Sequence, residues 1–244
     1  MIAIQTTNLT KKYKEKVVVN ALNLTIGQGE LFALLGVNGA GKSTTIKMLS
    51  CLTKPSDGDA VILGSSVISN PAQVKGMINV SPQETAIAPN LTVRENLILI
   101  AGIYGSDKRQ AEKKAEETIS SFGLSEIAKD KSKTLSGGWQ RRLSIAMALI
   151  SEPKILFLDE PTLGLDVLAR RDLWGMIQRL KGKVTMILTT HYLEEAEALS
   201  DRIGIMAKGE LRAVGTASEL MSKTNTSKFE DAFIALAGEG GQSI

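Results

Sequence analysis

The chain has a single cysteine, Cys51, so no disulfide can form within its 244 residues. That excludes a small disulfide-stapled fold and fits a reducing compartment. Long apolar runs are also missing. LFALLG (31–36) and LILIAGIYG (97–105) fall well short of the roughly 18 residues that span a bilayer, so the chain is not expected to cross a membrane by itself. The start, MIAIQTTNLTKKY, turns polar within a few residues and does not read as a signal peptide. An excess of one charge sign is lacking too. A net charge of +3 spread along the chain is too weak and dispersed to argue for nucleic-acid binding. There is no internal repeat and no low-complexity segment. Aromatics make up only 4%, which makes a tryptophan directly behind two glycines, Trp139, conspicuous. What is present is a 43% hydrophobic fraction, enough to fill the core of one large domain or two small ones.

Strand signals dominate the first part of the chain: MIAIQTTNL, then VVVNALNLTIGQGELFALLG, with GQGE (27–30) as a tight turn between two strands. The short continuous run Leu31 to Leu35 reads as a strand buried on both faces. A helix is expected from about 41 to 52, and residues 60–80 read as short strands and turns closing on MINVSPQ. From 89 to 150 the texture is helical, in LTVRENLILIAGIYG, DKRQAEKKAEETISSFG and SGGWQRRLSIAMALIS. Strands and helices alternate again afterwards. KILFLDEP precedes the helix ARRDLWGMIQRLKG, and the strand VTMILTTH precedes the helix YLEEAEALS. A hairpin RIGIMAKGELRAVG follows. Buried strands separated by helices predict a parallel sheet with helices on both faces. The tail from 216 reads as two short helices and a Gly-rich, frayed end.

Three stretches carry chemistry. GVNGAGKS (36–43) follows a buried strand and opens a helix. Its glycines, with Asn38, Ala40 and Thr44 around them, let backbone amides approach a triphosphate. Lys42 reaches the β- and γ-phosphates, and Ser43 offers a hydroxyl to Mg²⁺. ILFLDEP (155–161) brings Asp159 and Glu160 to the C-terminal end of a core strand, where open α/β sheets bind ligands. Asp159 is placed to hold Mg²⁺ through water, and Glu160 to polarise an attacking water. Adjacent acids at a strand end are usually only solvated, and the glycine loop is what gives this pair its weight. His191, the only histidine, ends another strand at the same sheet edge. A lone histidine is as readily a half-buried structural residue as a phosphate contact. Gln83 by spacing alone is an ordinary loop glutamine.

GVNGAGKSTT, SPQ, LSGGWQRR, ILFLDEPT, GLD and TTH stand in the order and spacing of the ATP-binding cassette (ABC) ATPases, and the resemblance covers nearly the whole chain. It implies an α/β fold with a P-loop (RecA-like) parallel-sheet core, an N-terminal antiparallel β subdomain and an inserted α-helical subdomain. The whole of 1–244 would form one cassette: 1–88 and 151–215 as core, 89–150 as the insert, and 216–244 as a helical tail. Gly36, Asn38, Gly39, Ala40, Gly41, Lys42, Ser43 and Thr44 would hold ATP, and Ser43, Gln83 and Asp159 would hold Mg²⁺. Glu160, His191 and Gln83 would be the catalytic set, with Asp166 at the subunit interface. Tyr13 matches an aromatic that stacks on adenine, with a plain strand-end tyrosine as the rival reading. In the family, Ser136, Gly137 and Gly138 serve the nucleotide of a second, head-to-tail subunit. A glycine turn that lacks a lysine agrees with that role, since it could complete a phosphate shell but not form one alone. Trp139 replaces the usual glutamine and either packs on the opposing P-loop region or on its own subdomain.

The C-terminal half looks like the ATPase subunits of ABC-2-type systems, mostly bacterial exporters. That implies an integral membrane permease as partner, a second ABC ATPase subunit, and a place on the cytoplasmic face of a bacterial cell membrane. No nucleic-acid partner is expected. A soluble ABC ATPase of translation or DNA maintenance would carry two cassettes or a long coiled-coil insert, and neither is present. A non-hydrolysing ATP switch is disfavoured by the intact Glu160 and His191. A P-loop GTPase is disfavoured by the lack of an Asn-Lys-x-Asp element.

Overall fold

The computed structural model describes residues 1–238, so the Gly-rich end expected to fray lies outside the described residues. The N-terminal hairpin β1 (Ile2–Tyr13) and β2 (Lys16–Gly27) joins β4 (Asp57–Ile62) and β5 (Ser65–Ser66) in an antiparallel sheet of order β2-β1-β4-β5. A second sheet takes β3 (Leu31–Leu35), β6 (Ile78–Ser81), β7 (Ile155–Asp159), β8 (Thr185–Thr190), β9 (Arg202–Ala207) and β10 (Glu210–Gly215) in the order β10-β9-β3-β8-β7-β6. Five of its strands are parallel, and β10 closes one edge antiparallel to β9.

The turn at 27–30 is real but does not make a hairpin. β2 pairs with β1, whereas β3 pairs with β8 and β9, so the chain crosses from one sheet to the other there. The physical reason is the pattern. β2 alternates buried and exposed residues as a half-covered strand does, while all five residues of β3 are buried, as a central strand requires.

Side-chain alternation divides the second sheet into two faces. Phe32, Leu34, Phe157 and Ile187 pack with Ile46, Met48 and Leu49 of α1 (Lys42–Leu49) and with the inner face of the antiparallel sheet. One face is therefore covered largely by a second sheet rather than by helices alone. Leu31, Leu156, Leu158, Met186 and Leu188 face the other way, against α5 (Gly137–Leu149) and α6 (Val167–Leu180). Nearer the β9 edge, α7 (Leu193–Leu199), α8 (Ala217–Thr224) and α9 (Phe229–Gly238) bury Ala196, Leu220, Phe229 and Leu236 on β3 and β9. A short helix, α2 (Pro71–Lys75), starts at Pro71 within the stretch that reads as strands and turns.

Between β6 and β7 lie α3 (Val93–Ile103), α4 (Lys108–Ser121) and α5, with their own core of Val93, Leu97, Ala115, Ile119, Leu143 and Met147. Thr92 and Asp107 start α3 and α4 with reciprocal capping boxes, which fixes where each helix begins. No helix of the described residues is long and apolar enough to cross a membrane.

Candidate functional site: a phosphate cleft at the sheet edge

The C-terminal ends of β3, β7 and β8 lie side by side, as their parallel registers require. Each carries the sequence-predicted residues into one cleft of about 370 Å³, lined by Asn38 to Thr44, Gln83, Glu160 and His191, with Val18 and Leu163 at its margin. Local backbone chemistry explains the glycine loop. A Cβ on Gly36 would lie 2.3 Å from the Met206 carbonyl oxygen, so only glycine fits there. Gly41 precedes α1 at φ 105° and supplies no side-chain cap. The first amides of α1 are thus left for a ligand, at the positive end of the helix dipole.

Lys42 is 5% exposed, and its Nζ donates to Gly36 O at 2.7 Å and Val37 O at 3.3 Å. It also lies 3.3 Å from Glu160 Oε1. The other oxygen, Glu160 Oε2, meets His191 Nδ1 at 2.6 Å. Glu160 has φ 49°, a left-handed conformation that is costly for a residue with a Cβ. It is held there because its amide donates to Thr189 Oγ1 and O, both at 3.1 Å. Thr189 also donates its hydroxyl to Asp159 Oδ1 at 2.5 Å, and Ser43 Oγ donates to the same oxygen at 3.1 Å. One strand-end threonine therefore orients both acids.

Two of the sequence-predicted groups sit apart from this cleft. Tyr13 lies at the end of β1, 47% exposed, with Lys11 Nζ 5.1 Å from its ring centroid, and it does not line the cleft. Ser136 and Gly138 face a different, shallow cleft together with Trp139, Arg142, Ala169, Asp172 and Leu173, which shares no residue with the first. Trp139 packs against the helical core, with the Arg142 guanidinium 4.6 Å from its ring. Asp166 is the N-cap of α6, accepting from the amides of Leu168 and Ala169.

Sequence reasoning missed Arg141. It is buried, and it donates Nη1 to Pro82 O and Nη2 to Gln83 O, each at 2.5 Å. Burial pushes its pKa down, and the charges of Asp159 and Glu195 offset part of that effect. Spacing could have shown only that Arg141 turns inward, since Arg141, Ser144, Ile145 and Ala148 share the inward face of α5; its partners lie far along the chain.

The donor set fits a magnesium-bound triphosphate. A group of three or more His, Cys, Asp or Glu able to hold a metal is absent among the described residues. Ser43 and Asp159 supply only part of an oxygen shell, as at sites where substrate phosphates and water complete it.

The sequence profile of the family described as ABC transporter matches residues 19–163, more than half of the chain. The linearmycin resistance ATP-binding protein LnrL of Bacillus subtilis (strain 168) is 42% identical over 90% of this chain, which spans 71% of that protein. The phospholipid-transporting ATPase ABCA3 of Homo sapiens is 40% identical over 86% of this chain, which spans only 12% of that much longer protein. Among solved structures, a dimeric post-hydrolysis state of the ATP-binding cassette MJ0796, bound to ADP and Pi, superimposes with a TM-score of 0.78. It is 28% identical, and the match covers 87% of this chain and 98% of that one. With the phosphate cleft and the cassette fold in agreement, the chain belongs to the ABC transporter family, as an ATP-binding and ATP-hydrolysing subunit.

Proposed function

We propose that the chain drives an exporter's separate membrane permease by closing and reopening a head-to-tail dimer around two ATP molecules. The observation that carries this reading is the convergence of Lys42, Ser43, Gln83, Glu160 and His191 on one cleft, while Ser136–Gly138 lies outside it. The loop amides and Lys42 bind the phosphates, while Ser43, Asp159 and Gln83 would hold Mg²⁺. When bound, Mg²⁺ neutralises charge on the phosphate oxygens. In the free chain both Glu160 oxygens are engaged, one by Lys42 and one by His191. An incoming γ-phosphate competes for Lys42 and frees Oε1 to polarise water, so the base becomes available only with substrate bound. His191 then steadies Glu160 and the γ-phosphate. Tyr13 flanks the nucleotide base from the end of β1.

Ser136, Gly137 and Gly138 present the start of α5 to the partner's γ-phosphate, with Asp166 near the same interface. In this reading 1–88 and 151–215 form the nucleotide-binding core, 89–150 the arm, and 216–244 an appended tail. The permease docks on the arm. α3 exposes Leu99 and Ile103 beside a groove of about 180 Å³ lined by Asn79, Pro82, Ile100, Met147 and the half-exposed Tyr104 that follows α3, a face suited to a loop of a membrane protein. The assembly sits on the cytoplasmic face of the membrane, in the manner of bacterial drug exporters.

Phosphate release by the purified chain tests the chemistry. His191→Ala is expected to keep ATP binding and cut turnover at least about a hundredfold, the cost of losing one transition-state partner. Binding and turnover falling together would instead mark His191 as a folding residue. For the partner, a tagged chain should leave detergent-solubilised membranes bound to a multi-span protein. Recovery of the chain alone contradicts that part of the reading.

A further inference from the structure

Glu195 has no part in the chemistry described so far, yet it is a fully buried carboxyl beside the site. It is the third residue of α7, where an acid ordinarily turns back to the amide of the N-cap residue. That amide, Tyr192 N, donates instead to Thr190 Oγ1 at 3.0 Å. Glu195 turns away from its own helix, and Glu195 Oε1 accepts from the Trp174 indole Nε1 at 3.0 Å.

Two further side chains face the same carboxyl, the hydroxyls of Thr190 and Thr162, both wholly buried. Thr162 Oγ1 stops short of a formed hydrogen bond, and neither it nor Glu195 Oε2 has a partner within bonding geometry. Thr190 immediately precedes His191, and Thr162 lies two residues beyond Glu160. Trp174 stands on α6, the helix capped by Asp166.

The geometry points to Glu195 as a positioning residue that backs the Glu160–His191 pair, its carboxyl hydrogen-bonded to α6 and set against the hydroxyls of the chain segments that carry both. This rests on the reading of Glu160 and His191 as the hydrolytic pair. The cost of the arrangement supports it. Burial raises the Glu195 pKa, opposed by the Thr190 and Thr162 hydroxyls that face it and by the Trp174 indole, while the charge of Glu160 raises it further. Arg141 on α5 is the nearby cation, yet no ion pair joins the two among the described residues. An apolar side chain would fill this space at lower cost. What a carboxyl adds is a formed hydrogen bond to the Trp174 indole on α6 and a second oxygen facing the Thr190 and Thr162 hydroxyls. ATP affinity draws on the P-loop amides and Lys42, which Glu195 does not touch, so the two effects separate.

The test measures ATP Kd, kcat and thermal midpoint for Glu195→Ala, Glu195→Gln, Trp174→Phe and Glu160→Gln. Glu195→Ala is expected to lower kcat about tenfold or more, the scale of lost outer-shell partners, with ATP Kd within about twofold. Glu195→Gln keeps an acceptor for the indole and faces the hydroxyls with an amide, so it should restore kcat to within about threefold. Trp174→Phe removes the N–H donor while keeping an aromatic ring in the same packing, and should lower kcat in the same direction by less, non-additively with Glu195→Ala. Wild-type kcat in Trp174→Phe overturns the proposal even if Glu195→Ala does not fold. So does a Glu195→Gln variant as impaired as Glu195→Ala, or loss of ATP binding in step with kcat. Turnover persisting in Glu160→Gln would instead overturn the reading of the pair itself, a distinct outcome.

Discussion

Two helices among the described residues, α1 and α5, start at glycines, and they differ from each other. α3, α4, α6 and α8 each carry a side-chain cap, from Thr92, Asp107, Asp166 and Thr216. α1 and α5 carry none, as the short α2 and α7 carry none, and each of the two leaves its first amides open to an anion. At α1 the loop wraps round: Gly41 is left-handed, Gly36 lies against the Met206 carbonyl, and Lys42 at the helix start faces the cleft. At α5 the start is open. Ser136 is extended, Gly137 and Gly138 have ordinary helical backbone, and a Cβ on Gly138 would lie 2.9 Å from the Ala169 Cβ. Each helix also has one buried cation near its start. Lys42 turns into its own loop, whereas Arg141 reaches across to the carbonyls of Pro82 and Gln83. In the proposed reading the first turn is a complete phosphate site and the second is half of one, strapped by Arg141 to the loop that carries Gln83.

Removing the lysine is the largest way to break that contrast. Lys42→Ala deletes a charge-assisted phosphate contact worth about 1.5–3 kcal/mol in binding, and more in the transition state. Turnover should vanish and ATP Kd should rise at least about tenfold by titration; near-wild-type turnover would make the two turns equivalent. Cutting the strap comes next. Arg141→Ala leaves the Pro82 and Gln83 carbonyls unpaired and should lower stability by about 1.5–3 kcal/mol in denaturant melts. It should also reduce kcat more than ATP affinity, because Gln83 loses its anchor while Lys42 keeps its own. The smallest effect is expected at the fifth position of the second turn. Trp139 packs on its own helical core and under Arg142, so Trp139→Gln should leave turnover within about twofold and cost about 1 kcal/mol of stability.

How much of this was legible follows from what pattern can encode. The buried run of β3, the glycine spacing and the acids ending β7 announce strand, loop and site together, because each depends on local geometry alone. The helical insert was legible from its texture, and the structure gives it a separate core. The change of sheet at 27–30 was hidden, since a turn looks alike whether its strands pair or part. Thr189, Arg141 and Glu195 were hidden for another reason. Their roles are set by partners 30, 59 and 21 residues away, which no local period reveals. Glu195 in particular reads as one more acid in LEEAE until its indole partner is known.

The most direct measurement is size-exclusion chromatography with and without ATP on two hydrolysis-blocked variants. Glu160→Gln keeps the Lys42 cleft and removes the base, so ATP should accumulate a dimer. Gly137 has room for a side chain, the nearest atom to an added Cβ being Leu165 Cδ2 at 3.8 Å, so Gly137→Asp tests charge rather than packing. Adding it to Glu160→Gln sets a carboxylate against the partner's phosphate. The double variant should bind ATP as tightly as the single one and elute as a monomer. If it dimerises on ATP as well as Glu160→Gln does, the second glycine turn is not completing a partner's phosphate site.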